Sequence, residues 1–249
     1  MMDLRDKKLL TSKGISEEKI AAQLECFKKG FPFMKLQAAA STEKGILSLD
    51  AKDLDFYIGV WDKYAKSGKE IVKFVPASGA ASRMFKVLFG FLNADYDVPT
   101  TDEEKTFFSH IKCFAFSEDL NAVCVKNEGK NIDELVANGN YKAVVDNLLN
   151  AKGLNYGNLP KGLLKFHKYS EGARTPLEEH LVEGALYAVN AKDEVHVHFT
   201  ISPAHRELFE KKVTEVVPTL EKKLGVKYFI TFSEQRPSTD TIAVNFNNT

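Results

Sequence analysis

Residues 72–84 read VKFVPASGAASRM and determine the expected fold. The apolar run that ends at Val75 predicts a buried strand, and only small side chains follow at positions 77 to 82. The pattern then predicts a turn and a helix that begins near Ser82. Because small side chains let a ligand approach the main chain closely, the N–H groups of this turn are candidates for binding phosphate.

The predicted binding residues of this turn act through the backbone, with one side chain adding charge. A helix N-terminus offers unpaired N–H donors and a partial positive charge, and an arginine on its first turn adds a planar fork of donors. The candidates are Ala77, Ser78, Gly79, Ala80 and Ser82 for backbone contacts and Arg83 for charge. The alternative is an ordinary strand-to-helix turn whose small residues pack the helix against the sheet.

Two common phosphate-binding motifs are excluded by their spacing. A P-loop requires G-x-x-x-x-G-K-[ST], but the residue five positions after Gly79 is Met84, and no Lys-Ser or Lys-Thr pair follows. The dinucleotide fingerprint requires G-x-G-x-x-G, whereas Gly79 stands alone in its loop. A phosphate site here therefore uses another arrangement.

A second segment, LPKGLL at residues 159–164, changes the interpretation of the first. Together with SGAASRM at 78–84 it resembles the signature of sugar-nucleotide pyrophosphorylases, nucleotidyltransferases with a GT-A-like α/β fold. Their pattern is G-G-x-G-[ST]-R-[LM] followed by P-K-x-L-L. The loop carries alanine at 80 and 81, and alanine demands ordinary φ values where the family tolerates positive ones, so the loop geometry can differ from the family's.

The resemblance implies roles for particular residues. It implies that Lys161 neutralises phosphates during attack on the α-phosphorus, and Arg83 is the second catalytic cation. The alternative for Lys161 is a surface lysine in a loop. The segment YFITFSEQRP at 228–237 loosely resembles the piece that contacts the nucleobase in UDP-sugar pyrophosphorylases, which implies a base contact for Gln235.

Nucleotidyltransferases generally need Mg²⁺ held by carboxylates and phosphates, so Mg²⁺ is the expected cofactor of a catalytic chain. No motif assigns its ligands here. From residue 29 onward the chain is also similar to the bacterial domain-of-unknown-function family 4301, over nearly the full sequence.

Helical patterns fill the first part of the chain. Ser16 is placed to cap one helix, and a second is predicted from about Leu49 to Ala65. We expect an N-terminal helical segment at residues 1–69 and a nucleotidyltransferase-like α/β domain at 70–249. Between the two signature motifs we expect a helical insertion at about 95–155, with helices at 101–113, 132–138 and 141–149. The residues from Thr101 to Glu104 form a capping-box-like start for the first of these helices.

Strand and helix alternate in the remainder. The patterns predict an extended piece at 163–169, helices at 176–189 and 203–224, and strands at 194–201 and 226–232. Such alternation implies βαβ crossovers, so the predicted fold is α/β, layered and Rossmann-like, with a mostly parallel sheet of the GT-A nucleotidyltransferase type. Residues 241–246 alternate like a further strand, and we expect a chain that stops there to be a truncated form.

The basic segment at 161–167 and the histidine pair at 196 and 198 each have two interpretations. The sequence around His180 excludes one class of enzyme. Lys161, Leu163, Lys165 and His167 share one face if the segment is a strand, either as a cationic stripe facing phosphates or as a solvated edge strand. His196 and His198 lie on one side of a strand, either as part of a metal site or as a pair on the sheet surface. His180 lacks the second histidine of H-E-x-x-H, which excludes a zinc protease of that type.

The bulk composition is that of an ordinary soluble chain, 44% hydrophobic and 27% charged over 249 residues. Thirty-four basic residues balance thirty-four acidic ones, so neither nucleic acid nor a membrane is an expected partner. The three cysteines lack metal-site spacing, and the N-terminus is too charged for a signal peptide, so we expect a cytoplasmic protein.

Three functions remain. The first is a nucleotidyltransferase-like protein that binds a nucleoside triphosphate or nucleotide-sugar and transfers to a sugar 1-phosphate. The second is a non-catalytic nucleotide- or sugar-binding module, and the third is a structural protein.

Overall fold

The computed structural model describes residues 3–246, which divide into two compact units. One unit comprises residues 3–64 together with 235–246, and the other is the continuous stretch Ala65–Glu234. Among the described helices, none combines the length and the apolar character needed to cross a membrane.

The first unit contains helices α1 (Leu4–Lys13), α2 (Glu17–Lys29) and most of α3 (Ala51–Ala65). The predicted cap of α2 is confirmed, because Ser16 Oγ accepts a hydrogen bond from the Lys19 N–H at 3.2 Å. Both predicted helices of this segment are present.

The predicted strand at residues 241–246 is wrong. Residues 241–245 are irregular and Phe246 lies in a turn. The Ile242 N–H donates to Gln23 Oε1 at 3.0 Å instead of to a neighbouring strand. An alternating pattern favours a strand only where a neighbouring strand supplies the hydrogen-bond partners.

A helical layer follows the first strand of the second unit and has its own core. Five helices form it: α4 (Lys86–Leu92), α5 (Asp102–Ser109), α6 (Ser117–Glu128), α7 (Ile132–Ala137) and α8 (Tyr141–Leu149). The predicted capping box of α5 is confirmed, since Thr101 Oγ1 accepts from the Glu104 N–H and the Glu104 carboxylate accepts from the Thr101 N–H. The side chains at the centre of this core are Phe91, Leu120, Val144, Val145, Leu148 and Leu149.

The sheet of the second unit is parallel and has three strands. The strands of the unit are β1 (Val72–Pro76), β2 (His167–Tyr169), β3 (Gly172–Arg174), β4 (Glu194–Ile201) and β5 (Lys227–Glu234). The sheet order is β1-β4-β5, while β2 and β3 form a separate antiparallel hairpin. The mixed α/β class and the parallel sheet are therefore confirmed.

Alternation along β4 separates the two faces of the sheet. Val195, Val197, Phe199 and Ile201 are buried on one face, where helices α9 (Pro176–Tyr187) and α10 (Arg206–Leu224) contribute Leu181, Phe209 and other apolar side chains to a second core. His196 and His198 lie on the opposite face. The carboxyl ends of the three strands meet at one edge, which is where open α/β sheets bind ligands.

Two local predictions need correction. The helix expected to begin near Ser82 begins at Lys86, because residues 82–85 form turns in which the Met84 N–H donates to the Ala81 carbonyl. Ala81 and Phe85 are buried in the helical core, and this packing fixes the turns. The helix N-terminus that was expected near Ser82 is therefore absent from that position.

The extended piece expected at 163–169 is only partly extended. Lys161–Leu163 is a 3₁₀ turn, and only His167–Tyr169 is a strand. The predicted stripe of basic side chains does not form, because Lys165 pairs with Asp119 at 2.5 Å and lies off the strand.

Candidate functional site

The turn after β1 lies at the carboxyl edge of the sheet. The Ala77 N–H donates to the Thr200 carbonyl at 2.7 Å, which ties the start of the turn to β4. Gly79 is exposed and has an ordinary φ, and a Cβ on it would lie 3.8 Å from Lys161 Cδ, an ordinary contact. Glycine is therefore not needed for the backbone conformation here, and its effect is to leave the main chain accessible.

Lys161 lies directly against this turn. Its N–H donates to the Gly79 carbonyl at 2.9 Å, and Ala80 pairs with Pro160 in an isolated antiparallel bridge. The two sequence motifs, which are far apart in the chain, are thus joined by backbone hydrogen bonding. The Lys161 side chain is exposed, so its charge is available beside the Gly79 backbone.

Arg83 is exposed in the turns that precede α4. Its neighbour Met84 lines the same cavity as Lys161. Within the described residues neither Arg83 nor Lys161 forms an ion pair, so neither charge is already neutralised.

The remaining predicted binding residues, Ser78, Ser82 and Gln235, do not all belong to the same turn. Ser78 is half-buried and Ser82 is exposed, both in the same turn as Gly79. Gln235 directly follows β5 and belongs to the other compact unit, so its base contact stays a prediction.

A small cavity of about 210 Å³ lies between the Gly79 turn and the sheet core. Phe199 and Phe209, both fully buried, line it together with Lys161 and His180. A Cβ on Gly162 would lie 2.9 Å from Phe209 Cζ, so Gly162 lets the 3₁₀ turn pack directly on this ring. The buried ring thereby fixes the position of Lys161.

A larger cavity of about 740 Å³ opens beside the first and shares Lys161, Pro176 and His180 with it. This volume lies in the range typical of small-molecule sites. Most of its lining is apolar: Met84, Phe85, Val87, Leu88, Phe107, Phe114, Ala115, Phe116, Tyr156, Leu164 and Phe166. The polar lining consists of Glu103, Lys161, Lys165, His167, Glu179, His180 and Glu183.

Helix α9 supplies two of the three carboxylates of this lining, Glu179 and Glu183. Lys73 Nζ donates to the Glu183 carboxylate at 2.5 Å, and this hydrogen bond holds the pKa of Glu183 below its usual value. His180 Nδ1 lies 3.1 Å from the same carboxylate. Glu183 was not among the residues predicted from the sequence, although its spacing from Glu179 on a predicted helix places both on one face.

Side chains of the β2–β3 hairpin contact the carboxylate of Glu179, the other α9 glutamate in the lining. Tyr169 donates its hydroxyl proton to Glu179 at 2.8 Å, and His167 Nδ1 lies 3.1 Å from the same oxygen. Arg174 donates to the other oxygen of Glu179 at 3.4 Å. Both α9 glutamates that line the cavity, Glu179 and Glu183, are therefore paired with cations.

The donors present do not make a preformed site for the expected Mg²⁺. In the part of the chain that the structure describes, no group of three or more His, Cys, Asp or Glu side chains could hold a metal ion. Glu179 and Glu183 are engaged by Arg174 and Lys73, which compete with a metal for the same oxygens.

His196 and His198 make contacts on the sheet surface. His198 stacks on Phe74 and bonds through its two ring nitrogens to Thr231 Oγ1 and Ser233 Oγ, each at 2.8 Å. His196 stacks on the ring of Phe229. These contacts favour the sheet-surface interpretation of the pair.

The fold and the site together define a mixed α/β protein with a three-stranded parallel sheet and a cavity of about 740 Å³ that Lys161 lines. The chain belongs to the family described as "Domain of unknown function (DUF4301)", whose model matches residues 4–249. Neither a curated protein nor a solved structure matches the chain. The resemblance to sugar-nucleotide pyrophosphorylases and the GT-A type of the fold stay predictions.

Proposed function

We propose that the chain binds a nucleoside triphosphate or a nucleotide-sugar through its phosphates at the Gly79 turn and Lys161. The observation that carries the proposal is the hydrogen bond from the Lys161 N–H to the Gly79 carbonyl. It brings an unpaired cation against a turn with an accessible backbone, at the edge of the sheet where ligands of this fold class bind.

Backbone donors of the turn support the same assignment. Within residues 3–246, the N–H groups of Ser78 and Gly79 have no hydrogen-bond partner, whereas that of Ala77 is bonded to β4. Neighbouring free N–H groups in a turn form a concave anion site even without a helix. Lys161, together with Arg83, supplies the positive charge that a phosphate chain requires.

The reaction we propose is nucleotidyl transfer to a sugar 1-phosphate. A phosphate oxygen of the acceptor attacks the α-phosphorus, the bond to the oxygen bridging the α- and β-phosphorus breaks, and pyrophosphate leaves with the electron pair. Lys161 and Arg83 would stabilise the charge on the phosphate oxygens. Mg²⁺ would have to arrive bound to the nucleotide phosphates, because the described residues offer no preformed site.

A non-catalytic nucleotide- or sugar-binding module is the second candidate. The observation that favours it is the pairing of the two α9 carboxylates that line the cavity, Glu179 with Arg174 and Glu183 with Lys73. Paired carboxylates are poorly suited to bind a metal or accept a proton. Pyrophosphate release from a nucleoside triphosphate and a sugar 1-phosphate would separate the enzyme from the module.

The binding test is a thermal-shift and calorimetric panel of UTP, ATP, CTP and UDP-sugars, with and without Mg²⁺. A ligand at about 100 times its Kd stabilises the folded chain by roughly 2.7 kcal/mol. Replacing Lys161 with Ala removes a charged hydrogen bond worth about 1.5–3 kcal/mol, so affinity should fall by roughly ten- to hundredfold.

The matched control is Lys130→Ala, an exposed lysine in the loop after α6 that lines neither cavity. It should leave both affinity and stability unchanged. Equal losses in the two lysine variants would contradict a phosphate site at Lys161, and silence across the whole panel would favour a structural role.

A further inference from the structure

The larger cavity is more apolar than a site for phosphates and a sugar requires. Its deeper wall is formed by buried side chains of the helical core, among them Leu88, Phe116, Tyr156 and Leu164. Sugars are bound mainly through hydrogen bonds to their hydroxyls, and this wall offers few donors or acceptors. Tyr156 is one polar group on it, and its hydroxyl already accepts from the Lys165 N–H at 3.3 Å.

The entrance of the cavity is also apolar, and its side chains are not packed into the core. Met84 is 51% exposed, Val87 is 42% exposed and Phe166 is 60% exposed, and all three line the cavity. Apolar side chains that stay exposed around a concave apolar surface are typical of a ligand site.

Within the described residues, the end of the cavity at Lys161 carries an unpaired positive charge. Lys161 is an unpaired cation beside the free N–H groups of the Gly79 turn, whereas Lys165 is paired with Asp119. The acids Glu179 and Glu183 are paired with cations, as described above. Glu103 lines the cavity as an exposed, solvated carboxylate. The uncompensated positive charge therefore lies where the large cavity meets the small one.

We propose that the 740 Å³ cavity binds the apolar group of a small amphiphilic anion, with the anionic head at Lys161. The ligand class is an alkyl or aryl phosphate or phosphate ester that is soluble as a monomer. The apolar body lies among the aromatic side chains, and the head interacts with Lys161 and the N–H groups of the Gly79 turn. The inference shares Lys161 and the Gly79 turn with the proposed function, but it does not require that a nucleotide binds.

Calorimetry with a series of alkyl phosphates, all below their micelle concentrations, tests the class. Each buried methylene contributes about 0.8 kcal/mol, so affinity should rise about fourfold per methylene from butyl to octyl phosphate. Inorganic phosphate carries only the anionic head and octanol only the apolar chain, so each should bind far more weakly than octyl phosphate. An affinity that is independent of chain length would overturn the proposal, because it would mean that only the head is bound.

Two matched pairs of variants locate the bound probe. Val87→Glu places a charge in the cavity entrance, while Val125→Glu changes a valine of similar exposure on α6 outside the lining. Octyl phosphate affinity should fall at least about tenfold in the first and stay unchanged in the second. Lys161→Ala should weaken octyl phosphate by about tenfold or more, and Lys130→Ala should not.

Circular dichroism and the thermal midpoint of each variant show that it is folded. Should Val87→Glu fail to fold, Ala115→Trp fills the same cavity with an apolar group and should also abolish binding. Unchanged octyl phosphate affinity in a folded cavity variant would place the probe elsewhere and overturn the proposal.

Discussion

The turn that follows α8 provides the sharpest test of how the helical layer is packed. Replacing Gly153 with Ala would put a Cβ 1.9 Å from the carbonyl oxygen of Asn147, where ordinary contact begins at 3.4 Å. The obstruction is main chain, so no side-chain rotation relieves it. The same carbonyl accepts a hydrogen bond from the Leu154 N–H at 2.8 Å, and Asn147 itself is fully buried. The backbone must therefore move, and this hydrogen bond is weakened as it does.

The expected cost follows from three contributions. Overpacking costs typically 1–3 kcal/mol, a weakened hydrogen bond about 1 kcal/mol, and the loss of glycine flexibility in the unfolded chain returns about 0.4–1 kcal/mol. The net loss in free energy of unfolding is about 2–3 kcal/mol. For a unit of this size that lowers the thermal midpoint by roughly 4–12 °C.

Gly90→Ala is the matched control, because Gly90 lies inside α4 and a Cβ there would have nothing within 4 Å. It should raise the free energy of unfolding by about 0.5–1 kcal/mol through helix propensity. Urea unfolding followed by circular dichroism measures both variants in the full chain. If Gly153→Ala is as stable as the parent chain, or if the two variants shift stability in the same direction, the packing of the turn against Asn147 is wrong.

Three other predictions concern single side chains. Gly79→Ala should leave stability within about 0.5 kcal/mol, since its Cβ meets only an ordinary contact, yet weaken UTP in calorimetry; unchanged affinity would argue against backbone contacts. Tyr228→Phe should cost about 1–2 kcal/mol in urea unfolding, because the buried hydroxyl donates to the Leu181 carbonyl at 2.7 Å. Burial raises the pKa of Glu104, but hydrogen bonds from Thr100, Thr101 and Tyr96 outweigh it, so its pKa lies below the usual 4.5. The unfolded chain then binds more protons than the folded chain. This contribution to stability is therefore present above pH 4.5 and is lost as pH falls through the folded pKa. Glu104→Gln should flatten this acid-side loss in the free energy of unfolding, measured from pH 3 to 6.

The elements whose cause is local were predictable from sequence. The alternation of Val195 to Ile201 gave β4 with its buried face, and Ser16 and Thr101 marked helix starts that the structure confirms. In each case the residues that cause the structure are within a few positions of it. The parallel arrangement followed from the length of the helical crossovers.

The elements that depend on distant contacts were not predictable. Ser82 was expected in a helix, but the packing of Ala81 and Phe85 into the helical core keeps the chain in turns up to Lys86. Lys161 was expected in an extended segment, but contact of the following glycine with Phe209 favours a 3₁₀ turn. Phe209 is far from Lys161 in the sequence, and most of the helical core lies well beyond Ala81 and Phe85 along the chain.

The candidate site was likewise predictable from the sequence only in part. The adjacency of Gly79 and Lys161 was expected from the motif resemblance, and the structure contains it. The large cavity was not expected, because its lining comes from α4, α5, the β2–β3 hairpin, α9 and the segments between them. The periodicity of any one segment cannot predict a surface that several separate segments form together.

The bridge between Ala80 and Pro160 has a consequence for how the molecule can vary. It closes the helical layer into a loop whose two ends are neighbours, and that layer has a core separate from the core of the sheet. Insertions, deletions or exchange of helices within the loop therefore leave β1, β4 and β5 in register, as in proteins that carry one domain inserted in another. Such exchange would reshape the apolar cavity wall while Lys161, held by Gly79 at the junction, keeps its place.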